Sequence, residues 1–136
     1  MKKLLFRRSL WIGLLLVSSL YSQKREFNFY VVSENSERIL HLSSVETFPC
    51  IGYGIKVFQL KNNDTIIIDI RGFLPPTPCY TGMDVAQERI RLSGSKTSVF
   101  VMKFRWKTMV DVWKITARGS SFIATPLRTV FTSYAK

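Results

Sequence analysis

An all-β, antiparallel sandwich of about eight strands is the fold class that this sequence predicts, on three observations. Short runs rich in β-branched and aromatic residues alternate apolar with polar side chains, and no segment sustains a 3.6-residue apolar period. Gly, Pro, Asn and Ser interrupt these runs about every ten residues, a spacing expected of a sandwich. The chain is 136 residues long, enough for one domain, and its 46% hydrophobic and 13% aromatic content supplies a core that a disordered basic tail would lack.

The elements follow in order. Residues Met1 to Ser22 have the composition of a secretory leader: Lys2, Lys3, Arg7 and Arg8, then an apolar stretch from Leu10 to Leu20, then Ser22 as the cleavage position. The 12 residues from Leu10 to Tyr21 fall short of the about 20 that a membrane-crossing helix needs. The expected organisation is a signal peptide over 1–22 and a single domain over 23–136. Cleavage takes the net charge from +11 to +7, since four cations leave with the leader. The remaining cations form no run longer than two, so the sequence permits weak, non-specific attraction to anionic polymers and no specific nucleic-acid recognition. Membrane attachment is expected only where the leader stays uncleaved.

Strands are expected near Phe27 to Val32, Arg38 to Ser44, Tyr53 to Leu60, Thr65 to Phe73, Gln87 to Leu92, Thr97 to Trp106, Val110 to Ala117, Ser121 to Thr125 and Leu127 to Tyr134. Asn62 and Asn63 tolerate the left-handed conformation of a tight turn. With those two as the turn, Ile55 faces Ile70, Val57 faces Ile68 and Gln59 faces Ile66 on the inner side. Lys61 then meets Asp64, Lys56 meets Asp69 and Phe58 meets Ile67 on the outer side. A second hairpin is expected around Lys107 and Thr108, with Phe100, Met102, Phe104, Trp106, Trp113 and Ile115 in the core. The stretch from Thr81 to Arg89 also suits a helical turn, and Pro126 marks an edge strand or a crossing between sheets.

Cys50 and Cys79 are the only cysteines, and export makes one disulfide the simplest pairing. Closing a loop of about 30 residues stabilises by roughly 3 to 4 kcal/mol on the chain-entropy model. The expected bridge ties two loops, Pro49-Cys50 and Pro78-Cys79, at one end of the domain. In strand count, size and possession of one bridge, the chain resembles the immunoglobulin-like sandwiches. The tryptophans Trp11, Trp106 and Trp113 all lie outside the Cys50 to Cys79 interval, so the resemblance is to that architecture alone.

No catalytic set converges in the sequence. His41 is the only histidine and sits in an expected strand. Asp84 and Glu88 have Arg89 and Arg91 close by as ion-pair partners. With a single His and scattered acids, neither a zinc nor a calcium ligand pattern can be drawn, and no cofactor is expected. Asn63-Asp64-Thr65 is a glycosylation triplet, which matters only in a eukaryotic host. The expected functional ground is the loop set at the disulfide end, with Tyr53, Phe73 and Tyr80 as candidate binding residues. The expected function is that of an exported, non-catalytic binding module, periplasmic or secreted, with a protein or glycan of the envelope or extracellular space as partner. Inhibition of an extracellular hydrolase is a rival, opposed for basic targets by like-charge repulsion; charge-led binding of anionic polymers is another.

Overall fold

The computed structural model describes residues 24–93 and 96–135, and the expected leader, Met1 to Ser22, lies outside them. Nine strands follow in chain order: β1 (Phe27–Glu34), β2 (Glu37–Ile51), β3 (Gly54–Asn62), β4 (Thr65–Leu74), β5 (Tyr80–Arg91), β6 (Val99–Trp106), β7 (Met109–Arg118), β8 (Ser121–Arg128) and β9 (Thr132–Tyr134). They form two packed sheets, ordered β5-β2-β1-β9 and β3-β4-β6-β7-β8. This is the expected two-layer β-sandwich, with one Cys50–Cys79 disulfide. It is not antiparallel throughout, because β1 pairs with β9 and β4 with β6 in parallel. Parallel neighbours need a crossover; between β4 and β6 the chain makes it by running through the opposite sheet as β5.

Alternation explains the layers. Phe27, Phe29 and Val31 of β1 face Ile66, Ile68 and Ile70 of β4 and Phe100, Met102 and Phe104 of β6 across a single core. Trp113 and Ile115 are buried with them as expected, while Trp106 is only partly buried. Burying a large apolar side chain contributes about 1.5 to 3 kcal/mol, so these facing rows hold the sheets together. The β6–β7 hairpin turns at Lys107 and Thr108, with Trp106 opposite Met109 and a positive φ of 56° at Lys107.

Three sequence expectations are corrected. The β3–β4 turn is Asn63-Asp64, not Asn62-Asn63: Asn62 pairs with Thr65, Lys61 with Ile66 and Val57 with Ile70. This shift of two positions keeps every side chain on its expected face but dissolves the expected charge pairs. Phe58 now lies opposite Asp69, and Lys56 opposite Gly72 beyond a bulge at Arg71. Asp69 pairs instead with Arg71 at 2.8 Å. Residues Thr81 to Arg89 are strand throughout, because β2 runs on to Ile51 and gives β5 a partner along its length. Finally, the segment expected as a ninth strand from Leu127 is divided. Its first residues extend β8, the edge strand that holds Pro126, and the chain then crosses sheets to become β9.

β2 passes its bulges by recruiting a side chain. The buried Ser44 hydroxyl accepts the Ala86 N–H at 2.8 Å and donates to the Glu46 carbonyl at 2.7 Å, standing in for ladder bonds where the register shifts.

The crossing from β8 to β9 is held by one buried carboxylate. Asp111, fully buried on β7, accepts backbone N–H bonds from Val130 (2.8 Å), Phe131 (3.0 Å) and Thr132 (2.8 Å), and the Thr132 hydroxyl donates to it as well. That hydroxyl also accepts the Trp113 indole N–H at 2.8 Å. Asp111→Ala strips the carboxylate from buried donors, each costing about 1 to 3 kcal/mol when left unsatisfied. A loss of about 3 kcal/mol or more is expected, read as a lower urea midpoint; a change under about 0.5 kcal/mol would show that the crossing holds without it.

Candidate functional site

The disulfide end is where the sheets exchange chain. β2 ends there at Ile51, β4 ends at Leu74, and residues 75–79 carry the chain from one sheet to the other. Cys50 is not in a loop as expected but inside β2, opposite Thr81, and 8% exposed. Cys79 sits just before β5, with a Cα–Cα distance of 5.3 Å to Cys50, and the bridge ties the incoming segment to β2. A disulfide here is consistent with an oxidising compartment.

The three candidate residues divide. Tyr53 and Phe73 come together with Phe48, all partly buried against the core. Phe48 stacks on Tyr53 with ring centroids 4.5 Å apart and lies 4.7 Å from Phe73. Phe73 in turn packs edge-on against Trp106 at 5.9 Å, and Trp106 against Phe27 at 5.3 Å. This file of rings crosses both sheets and closes the end of the core, with the Trp106 indole N–H donated to the Glu26 carboxylate. Tyr80 stands apart, 68% exposed at the start of β5 beside the bridge.

Three more apolar side chains are exposed on the segments that end or begin here: Ile51, Leu74 and Met83, at 51%, 49% and 71%. Ile51 pairs with Tyr80 and lies flat across Gly82, where a Cβ would stand 2.7 Å from its side chain. Only glycine at 82 permits that approach. Met83 was missed in the sequence because its segment also fitted a helical turn; Gly82 inside a β-like run is the signal for close approach that identifies the strand.

The remaining candidates have structural partners. Glu88 accepts the Ile55 N–H at 3.3 Å and Asp84 accepts the Val85 N–H at 2.8 Å. Arg89 and Arg91 do not pair with them as expected: Arg89 meets Glu34, and Arg91 meets Glu37 at 2.9 Å, because β5 lies beside β2 and so near the β1–β2 turn. His41 stacks on Tyr30 with centroids 4.6 Å apart and lies 3.7 Å from Glu34, in a shallow depression that Gln87 and Arg89 also line. Among the described residues, no group of three or more His, Cys, Asp or Glu could hold a metal ion. Asn63 is exposed in its turn, with φ of 55°.

Compared with protein-family models, curated proteins and solved structures, the chain has no match.

Packing separates the aromatic residues experimentally. Phe73→Ala removes a ring from the file and is expected to cost about 2 kcal/mol, whereas Tyr80→Ala should stay within about 0.5 kcal/mol in the same urea titration. Equal losses would contradict this division. Replacing both cysteines by Ser is expected to lose roughly 3 to 4 kcal/mol, read as a fall in thermal midpoint.

Proposed function

We propose that the chain is an exported, non-catalytic interaction module that recognises a protein or glycan of the cell envelope or extracellular space through the apolar ground at its disulfide end. Export rests on the leader-like residues 1–22, cleaved after Ser22 into a periplasmic or secreted product, together with the disulfide.

The observation that carries the recognition surface is Tyr80: a large ring, 68% exposed, on a backbone fixed by the adjacent bridge and by pairing with Ile51. A pre-ordered aromatic side chain loses little entropy when it enters a partner's pocket or stacks on a sugar face. Ile51 lies beside Tyr80, and the exposed Leu74 and Met83 at the same end of the domain offer further apolar ground; apolar rims exclude water from a central anchor. Tyr53 and Phe73 pack against the core rather than meeting the partner, since their rings are engaged with Phe48 and Trp106.

Tyr80→Ser with Met83→Ser tests this reading. Pull-downs from envelope and culture fractions and a glycan array are expected to give at least about tenfold weaker capture by the double variant, with an unchanged unfolding midpoint. Full capture by the folded variant would remove the assignment.

A further inference from the structure

The cations that look scattered along the chain converge on one surface. Strand register sets Leu60, Ile67, Lys103, Val112 and Arg128 in a line across the five-stranded sheet, on the side away from the core. The next line holds Phe58, Asp69, Arg105 and Val110, and a third runs through Val101 and Lys114 to Thr125. With Lys56 and Arg71 at the β3–β4 border, six cations share this face with one carboxylate, Asp69, which Arg71 already neutralises; Asp111, the other acid on these strands, is buried in the core. On the strands of the opposite sheet acids outnumber cations, and there Glu34 and Glu37 meet Arg89 and Arg91.

The apolar residues between these cations are not sealed. Phe58 and Leu60 are 51% and 52% exposed, and Val110 and Ile123 about two-fifths. Phe58 lies beneath two cations, with Lys56 Nζ 5.9 Å and Arg71 Cζ 5.5 Å from the ring centroid. Strands are spaced by about 4.8 Å, so five of them present a platform about 20 Å wide.

We propose that this face docks flat on an anionic phospholipid bilayer, its Lys and Arg side chains on the headgroup phosphates and Phe58 and Leu60 entering the interface. The charge excess suits any polyanion, but half-exposed apolar side chains between the cations gain burial only where acyl chains lie beneath the negative charge. Long cationic side chains reach outward to phosphates while their stems cover apolar surface. A second copy of the chain on this face would bring like charges together and is disfavoured. Docking uses neither residues 1–22 nor the Tyr80 surface, so it stands or falls separately from the function proposed above.

The test is flotation of the full chain with vesicles of phosphatidylcholine alone and of equimolar phosphatidylcholine and phosphatidylglycerol. Preferential capture by the anionic vesicles is expected, weakening steeply as salt is raised from about 0.1 M to about 1 M. Replacing Lys103, Arg105, Lys114 and Arg128 by Thr keeps strand propensity and should lower that capture about a hundredfold or more. If that variant does not fold, Arg105→Thr with Lys114→Thr should still lower it roughly tenfold. Phe58→Thr with Leu60→Thr should weaken vesicle capture several-fold and leave heparin binding unchanged. An environment-sensitive dye on Thr125→Cys should shift to the blue with anionic vesicles, and on Gln87→Cys, across the sandwich, it should not. Equal capture by both vesicle types, full capture by the folded charge variants, or an equal shift at Gln87 would overturn the proposal. So would binding to heparin or single-stranded DNA without binding to vesicles.

Discussion

One buried carboxylate governs how this sandwich closes. At the crossing from β8 to β9 the chain leaves one sheet before it has joined the other, and Val130, Phe131 and Thr132 have N–H groups that need acceptors inside the protein. Asp111 supplies them all from the neighbouring strand. Phe131 can then be fully buried, Thr132 can bond Trp113, and β9 can pair with β1. On the opposite flank side chains do comparable work between sheets: Gln59 on β3 donates to the Arg91 carbonyl at 2.9 Å and accepts the Ser93 N–H at 3.0 Å, beside the Glu88–Ile55 contact. Both seams between the layers therefore use polar side chains on backbone, while the interior between them is apolar.

How much of this was legible depends on the range of the signal. Alternation is local, so strands, buried faces and the Lys107–Thr108 hairpin could be read directly. The β3–β4 register could not, because Asn62 and Asn63 are both suited to a tight turn and a slip of two residues conserves the inner face. The parallel pairings were hidden because they depend on which sheet each strand joins. Asp111 carried a usable signal: two residues before Trp113 and four before Ile115, it occupies an inward position of the same alternation. An acid there implies buried donors, although nothing nearby in sequence says that they belong to 130–132.

The candidate site shows the same division. Pairing of Cys50 with Cys79 was readable from the count of two beside a leader-like N-terminus, and the aromatic residues near the bridge could be named from their place in the sequence. Whether each ring points into the core or away from it depends on the path of β2 beyond Ser44, where bulges shift the register. Surface charge was the least legible property. Lys103, Arg105, Lys114 and Arg128 form no run, yet a sheet gathers alternate residues from five strands onto one plane, so a basic face needs no basic segment.

The parallel pairing of β1 with β9 joins the beginning of the domain to its end. Contacts separated by about a hundred residues give the fold a high contact order, which slows the search for the native state. Until residues 129–134 are present, the flank of β1 beside Phe27 and Phe29 has no strand against it. A chain that lacks those residues can thus form hairpins but cannot complete its core. Core completion waits on residues 129–134, and a chain without them is the species with most reason to meet a chaperone.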